Sequence, residues 1–170
     1  MARICVCGLD DMPGVAERMR PGRLISLLPA DYQPSTPPPL EPPDHLRVLI
    51  DDIDEPREGF TAPASEHVEE LLEFLRSSPP DVSLLIHCHA GVSRSPAAAL
   101  IALVLDAPGR EQEAALLLRK AAPFAYPNRL LVRLADRALD RGGALVAAVE
   151  SIGEPEWTDD WGPFFLPRTL

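Results

Sequence analysis

The chain has 170 residues, with 16 Lys and Arg against 26 Asp and Glu and a formal net charge of −10 at pH 7. This length suits one domain, and its 46% hydrophobic and 25% charged residues can fill a core and cover a surface, which excludes a disordered or fibrous protein. The charge argues against a nucleic-acid partner, and the apolar runs are too short for a membrane-spanning helix, so no membrane partner is expected.

Apolar runs and helical patterns alternate along the first half of the chain. Short apolar runs predict strands at Arg3–Leu9, Arg23–Leu28, His45–Ile50 and Val82–Ile86. Helices are predicted from Asp10 to about Arg20 and over Ser65–Arg76, where apolar residues recur at helical spacing. Six prolines within Pro34–Pro43 predict a stiff, extended connection between the second and third strands.

The second half of the chain is helical in composition. Helices are predicted over Pro96–Leu105, Arg110–Ala122, Asn128–Arg141 and Ala144–Glu150, separated by Pro and Gly. The whole pattern predicts an α/β fold with a central, mostly parallel sheet of about four to five strands flanked by helices, and a helical C-terminal half. One domain is expected over residues 1–152, and residues 153–170 form a tail rich in aromatic residues and Pro that packs on this domain or on a partner.

The cysteines bear on the cellular compartment and on metal binding. Cys5, Cys7 and Cys88 are an odd number without a C-x-x-C pair, so neither a disulfide framework nor a metal site is predicted, and no cofactor is expected. Free thiols suit a reducing compartment, and the apolar run at 4–9 is shorter than that of a secretory signal. We therefore expect a cytoplasmic protein.

The most informative segment is Leu84–Pro96, LLIHCHAGVSRSP, which places a polar loop between an apolar strand and an Ala-rich helix. Such a loop directs backbone N–H groups and the positive end of the helix dipole at one point, which suits a phosphate. Gly91 allows a tight turn close to a ligand, and Arg94 can hold two phosphate oxygens. The same field favours the thiolate of Cys88, a strong nucleophile. A nucleophile and an anion site are thus predicted in one loop.

The nine residues HCHAGVSRS resemble the signature of the cysteine-based protein tyrosine phosphatase superfamily. The form His-Cys-x-x-Gly-x-x-Arg-Ser is most similar to dual-specificity phosphatases and small bacterial tyrosine phosphatases. The resemblance extends more loosely from about Leu24 to Leu134, and it includes VLIDDI at Val48–Ile53 and Tyr126-Pro127-Asn128, which is similar to a Ser-Pro-Asn of dual-specificity members. The implied fold is phosphatase-like.

The resemblance also implies roles for individual residues. Cys88 would attack phosphorus and form a cysteinyl phosphate, while Arg94 and the loop backbone would hold the equatorial oxygens. Ser95 would donate a hydrogen bond to the sulfur and make it a better leaving group. His87 would face away from the substrate and stabilise the loop, with an ordinary hydrogen-bonded core histidine as the alternative. The implied phosphate-binding residues are Cys88, His89, Ala90, Gly91, Val92, Ser93 and Arg94.

A carboxyl group is needed as well, because the leaving oxygen takes up a proton and the later water gives one up. The candidates are Asp51, Asp52 and Asp54, which follow the His45–Ile50 strand at the sheet edge where Cys88 is expected. In the family pattern the acid comes one residue after an apolar strand, which favours Asp52 as general acid, with Asp54 and Asp51 as alternatives. Asn128 is expected to cap the next helix, with a hydrogen bond towards the loop as the alternative.

These residues predict a metal-independent phosphomonoester hydrolase, and by resemblance the substrate is a phosphotyrosine protein or a small phosphoester. Within the loop only His89 could add positive charge, which argues against a polyphosphorylated lipid. The alternatives are a phosphate-binding scaffold without turnover and a thiolate-based sulfurtransferase or arsenate reductase. A serine hydrolase is excluded, because G-x-S-x-G would need Gly where Ser95 stands. The sequence leaves the oligomeric state open.

Cys5 and Cys7 lie two residues apart on the first predicted strand and therefore on one face of it. They are expected to be small buried apolar residues. The alternative is a resolving thiol that forms a disulfide with oxidised Cys88, because a nucleophilic cysteine is prone to oxidation.

Overall fold

Five strands form a single sheet in a computed structural model that describes residues 1–170. They are β1 (Arg3–Cys7), β2 (Arg23–Leu28), β3 (His45–Leu49), β4 (Leu84–His87) and β5 (Phe164–Pro167), in the spatial order β3-β2-β4-β1-β5. The strands β1 to β4 are parallel to one another, and β5 runs antiparallel to its neighbour β1. The predicted α/β class with a mostly parallel sheet is confirmed.

Six α-helices accompany the sheet, one at each predicted position. They are α1 (Met12–Met19), α2 (Ser65–Arg76), α3 (Arg94–Val104), α4 (Glu111–Ala121), α5 (Arg129–Ala138) and α6 (Ala144–Ser151). The helix bounds differ from the predicted ones most at the end of α5, which stops three residues before Arg141. Around the phosphatase-like signature, β4 includes His87 and α3 begins two residues before Pro96. Pro96 fits this earlier start, because a proline in the first turn of a helix removes no helical hydrogen bond. None of the helices combines the length and apolar character needed to cross a membrane.

The two faces of the sheet are covered unequally. Alternate residues of β1, such as Ile4 and Val6, join a core of 32 buried residues to which α2 through α6 also contribute. The intervening residues Cys5 and Cys7 join a second cluster of seven with residues of α1. Strand alternation thus divides the apolar runs of β1, β2 and β4 between two cores, which is why these three strands are apolar on both faces.

Helix α3 is the centre of the larger core, because all eleven of its residues are buried. It packs against β1 and β4 as well as α4 and α5, which explains its Ala-rich composition. Its N-terminus is thereby held at the carboxyl end of β4, directly after the polar loop.

The C-terminal residues return to the sheet. Phe164 and Leu166 of β5 are buried while Phe165 is exposed, so the strand presents one apolar face to the core. Phe164 packs edge-on against Phe124 with ring centroids 6.0 Å apart. The strand covers the edge of β1 that would otherwise lie open.

Candidate active site

Residues Cys88–Ser93, named here the Cys88 loop, connect β4 to α3. A cavity of about 570 Å³ opens over this loop and is named the Cys88 cavity. Its lining residues are Asp52, Ile53, Asp54, Cys88, His89, Ala90, Val92, Ser93, Arg94, Tyr126, Pro127, Asn128, Arg129 and Trp157. Most of the residues singled out by sequence are therefore brought to one place, whereas His87, Gly91, Ser95 and Asp51 do not line the cavity.

The sulfur of Cys88 accepts hydrogen bonds from two donors. The Ser95 hydroxyl donates to it at 3.1 Å and the Gly91 N–H donates to it at 3.3 Å. Only 1% of Cys88 is exposed, so its sole access is through the cavity that it lines. The structure thus places the Ser95 hydroxyl where it can stabilise a negative sulfur.

Arg94 is a buried cation without an anionic partner. Only 5% of it is exposed, its Nη1 donates to the Ile50 carbonyl at 3.0 Å, and its Nε has no hydrogen-bond partner. No carboxylate forms an ion pair with it. Because a buried charge is costly unless it is paired, this guanidinium is suited to an anion that enters the Cys88 cavity.

The carbonyl groups of the Cys88 loop are bonded to neighbouring segments. The three bonds join His89 O to Leu9 N at 2.9 Å, Val92 O to Tyr126 N at 2.8 Å and Ser93 O to Asn128 N at 3.2 Å. In a trans peptide unit the C=O and the following N–H point in opposite directions. These bonds therefore turn the N–H groups of Ala90, Ser93 and Arg94 towards the inside of the loop, where the positive end of α3 adds to their field.

Gly91 has a positive φ of 77°, and an added Cβ would lie 2.8 Å from the Cys7 carbonyl carbon and the Gly8 nitrogen. We expect Gly91→Ala to lower the free energy of unfolding by more than the roughly 1–2 kcal/mol of a left-handed L-residue, because the loop must also move off the end of β1. Urea unfolding measures this difference.

Gly109→Ala is the matched control for Gly91→Ala. Its φ is 82°, but nothing lies within 4 Å of an added Cβ. This variant carries the backbone strain without the steric contact, so it should be the milder of the two and should bind phosphate like the wild type. Equal losses of stability would show that the close approach of the Cys88 loop to β1 is unimportant.

The three carboxyl candidates occupy different positions. Asp52 lines the Cys88 cavity, and its Oδ1 accepts hydrogen bonds from Ser93 Oγ at 2.7 Å and Asn128 Nδ2 at 3.1 Å. Asp54 also lines the cavity, but its contact with α5 is made by its backbone carbonyl, which accepts from Arg133. Asp51 accepts from the Thr61 N–H at 2.7 Å and so closes the loop after β3.

Asn128 performs both tasks that the sequence left as alternatives. Its side-chain oxygen accepts from the Leu131 N–H at 3.0 Å and caps α5. Its amide nitrogen donates to Asp52 and to the Ile53 carbonyl, at 3.1 and 3.2 Å. One side chain therefore joins the start of α5 to the segment that carries the candidate acid.

His87 is fully buried behind the Cys88 loop. Its Nδ1 lies 3.3 Å from the Cys88 carbonyl, and its Nε2 lies 2.6 Å from Ser26 Oγ. Burial lowers the pKa of His87 to about 4; the bond to Cys88 opposes this shift and the charge of Arg94 adds to it. His87 is therefore a neutral imidazole near pH 7 that contacts the loop backbone rather than the cavity.

Sequence reasoning missed three residues of this region. Ser26 lies beside His87 because the register of β2 and β4 pairs these two positions, and the only signal was a polar residue inside the apolar run RLISLL. His45 bonds to the same serine at 2.7 Å. Trp157 lines the Cys88 cavity from the C-terminal segment, where the sequence suggested only an apolar contact.

Cys5 and Cys7 lie in the smaller core with α1, whereas Cys88 belongs to the larger one. Burial raises the pKa of Cys5 to about 11 and also raises the pKa of Cys7. Both are inert thiols at neutral pH, which favours the interpretation as small buried apolar residues.

Three solved structures share the fold. The PTP-2 phosphatase of Cydia pomonella aligns with a TM-score of 0.60 at 23% identity, over 79% of this chain and 84% of that chain. The Yvh1 phosphatase domain from Chaetomium thermophilum has a TM-score of 0.60 at 20% identity, over 84% and 93%. Human DUSP28 has a TM-score of 0.60 at 18% identity, over 83% and 94%. At these identities the matches show the fold alone, and they confirm the phosphatase-like fold that the sequence predicts.

Two curated relatives from Dictyostelium discoideum match part of the sequence. MAP kinase phosphatase with leucine-rich repeats protein 2 is 33% identical over 84 residues, which are 49% of this chain and 11% of the relative. Protein 1 of the same name is 33% identical over 85 residues, 50% and 10%. The chain thus spans about a tenth of the length of these relatives. No protein-family model matches the chain.

Proposed function

We propose that this chain, which has the fold of the cysteine-based protein tyrosine phosphatase superfamily in its dual-specificity-like form, is a metal-independent phosphomonoester hydrolase. One observation carries the proposal. A cysteine sulfur that accepts two hydrogen bonds shares a cavity with a buried, unpaired arginine, at the N-terminus of a fully buried helix. A nucleophile and an anion clamp in contact with one cavity are the two requirements of phosphoryl transfer through a covalent intermediate.

The reaction would run in two balanced steps. In the first step the ionised Sγ of Cys88 forms a bond to phosphorus, the bond from phosphorus to the leaving oxygen breaks, and Asp52 gives that oxygen its proton. In the second step a water oxygen bonds to phosphorus, the S–P bond breaks and Asp52 recovers a proton from the water. The products are an alcohol or phenol and inorganic phosphate.

The remaining groups would stabilise charge in these steps. Arg94 and the N–H groups of the Cys88 loop would hold the three equatorial oxygens, whose charge is spread in the transition state. The Ser95 hydroxyl, at 3.1 Å from the sulfur, would stabilise the thiolate that departs in the second step. Each of these groups is fixed by a hydrogen bond or by burial before any substrate binds.

The proposed substrate is a single phosphate on an aromatic hydroxyl, as in phosphotyrosine, or a small phosphoester. Tyr126 and Trp157 line the Cys88 cavity and offer aromatic surface to a phenyl ring. Arg94 is the buried cation of the cavity and Arg129, which also lines it, is exposed, so one phosphate group would meet a buried guanidinium. A thiolate nucleophile needs a reducing environment, so we include a cytoplasmic location in the proposal.

Hydrolysis of p-nitrophenyl phosphate in the presence of EDTA tests the function. We expect steady turnover that releases one phosphate per p-nitrophenolate and is inhibited competitively by inorganic phosphate. A folded protein that binds phosphate without turnover would instead be the scaffold predicted as an alternative. Formation of thiocyanate from thiosulfate and cyanide, with no phosphate release from the ester, would assign the site to sulfur transfer.

A further inference from the structure

A chain of hydrogen bonds continues from His87 across the sheet to its edge. Ser26 Oγ lies 2.6 Å from His87 Nε2 and 2.7 Å from His45 Nε2, so one hydroxyl joins two imidazoles. His45 Nδ1 lies 3.0 Å from Thr36 Oγ1, and Thr36 Oγ1 accepts from Arg47 Nη2 at 3.0 Å. Ser26 and His87 are fully buried and His45 is 5% exposed. Three strands and the Pro-rich connection contribute to this chain, named here the histidine relay.

The donor and the acceptor of each hydrogen bond in the relay can be assigned by starting from the Cys88 carbonyl. The Cys88 carbonyl can only accept, so His87 carries its proton on Nδ1. Because His87 is neutral, its Nε2 has no proton and must accept from the Ser26 hydroxyl. Ser26 has a single proton and must therefore accept from His45 Nε2.

The same reasoning extends to the outer end. Burial lowers the pKa of His45 to about 4, with further lowering by Arg47 and His87, so His45 is also neutral near pH 7. Its Nδ1 then accepts from the Thr36 hydroxyl, whose oxygen accepts from Arg47, a group that only donates. All donors in the relay thus point towards the Cys88 loop.

The Cys88 carbonyl accepts its hydrogen bond from a side chain, that of His87. The carbonyls of His89, Val92 and Ser93 are held by backbone N–H groups, which remain donors whatever the side chains do. The donor at the Cys88 carbonyl is an imidazole, which donates from Nδ1 only in one tautomer. Fixing this carbonyl turns the His89 N–H in the opposite direction, towards the inside of the loop.

We propose that Ser26 and His45 are positioning residues of the Cys88 site. They hold His87 in its Nδ1–H tautomer, and His87 in turn aims the His89 N–H at the sulfur and the bound anion. An effect of this role on catalysis rests on the proposed function. The hydrogen bonds of the relay are present without any substrate. Charged groups that face the relay are Arg94 at His87 and Arg47 at His45.

The first test compares three serine variants. Ser26→Ala removes the hydroxyl between the imidazoles and Ser26→Thr keeps it. Ser78→Ala is the matched control, because it removes a buried hydroxyl that donates only to the Phe74 carbonyl. We expect Ser26→Ala to slow the alkylation of Cys88 by iodoacetate at neutral pH and to weaken inorganic phosphate binding, each about tenfold, with the alkylation profile displaced to higher pH. Ser26→Thr and Ser78→Ala should resemble the wild type.

A pair of histidine variants covers the case in which Ser26→Ala does not fold. Gln at position 45 can still donate an amide proton to Ser26, whereas Leu cannot. We therefore expect His45→Gln to retain most of the wild-type alkylation rate and His45→Leu to lose it. A His45→Leu protein that folds and alkylates at the wild-type rate would overturn the proposal.

Imidazole ¹⁵N spectra of the wild-type protein test the relay without any turnover. We expect His87 protonated on Nδ1 and His45 protonated on Nε2, both neutral at pH 7. A proton on Nε2 of His87 would overturn the relay. If the tautomers and the alkylation rates are as expected but no phosphoester is hydrolysed, the proposed function fails and the relay remains. If the phosphoester is hydrolysed but His87 carries its proton on Nε2, the relay fails and the proposed function remains.

Discussion

Cys88→Ser should abolish hydrolysis of p-nitrophenyl phosphate, with a loss in kcat of at least about 10⁴-fold. A serine hydroxyl is not ionised at neutral pH, so it cannot replace a sulfur nucleophile that receives two hydrogen bonds. Phosphate binding should survive, because Arg94 and the N–H groups of the Cys88 loop are unchanged. Assays of turnover, together with the rise in melting temperature on addition of inorganic phosphate, measure the two properties separately.

Cys5→Ala is the matched control for Cys88→Ser. It removes another buried thiol from the smaller core, away from the Cys88 cavity, and should keep full activity in the folded protein. Turnover that persists in Cys88→Ser would show that another group attacks phosphorus. A loss of activity in folded Cys5→Ala would show that the first strand contributes a thiol to the chemistry.

Asp52→Asn should lower kcat by about 10²–10³-fold for an alkyl phosphate, whose leaving oxygen needs a proton. The loss should be smaller for p-nitrophenyl phosphate, since p-nitrophenolate leaves without full protonation. Asparagine keeps a side-chain oxygen that accepts from Ser93 and Asn128, so the local structure is retained. A rate that depends on a protonated acid falls as the pH rises, and we expect Asp52→Asn to lose this alkaline decline.

Asp54→Asn provides the matched comparison for Asp52→Asn. Asp54 is the other aspartate that lines the Cys88 cavity, and it contacts α5 through its backbone carbonyl, which the substitution leaves unchanged. The variant should therefore keep kcat and the pH profile close to those of the wild type. If Asp54→Asn instead removes the alkaline decline, the general acid is Asp54. Asp51 is excluded as a comparison because its carboxylate holds the Thr61 N–H, so that its replacement would disturb the loop itself.

The sequence predicts the parts of the fold that depend on neighbouring residues. The strands β1, β2 and β4 could be predicted because they are buried on both faces and form nearly continuous apolar runs. The edge strand β3 is less buried, with Leu49 exposed, but its apolar residues still mark it as a strand. The strand Phe164–Pro167 was not predicted, since it has four residues with Pro163 and Pro167 at its borders. It is a strand because it pairs with β1, and that partner is remote in the sequence.

The candidate site also has residues that the local sequence predicts and contacts that depend on distant parts of the chain. The Cys88 loop could be found because sulfur, glycine, arginine and serine lie within eight consecutive residues. The contact of Ser26 with His87 depends on the register of two strands 61 residues apart, which no local pattern specifies. The choice among the aspartates depends on the course of the chain after β3, which the bond between Asp51 and Thr61 helps to set.

The pairing of Arg3–Cys7 with Phe164–Pro167 has a consequence for biosynthesis. A ribosome releases the N-terminal strand first, and its outer edge stays open until the C-terminal strand has emerged. An open strand edge is a template for pairing with other chains. The nascent polypeptide should therefore depend on chaperones until Phe164–Pro167 has left the ribosome, and the sheet should close only at that point.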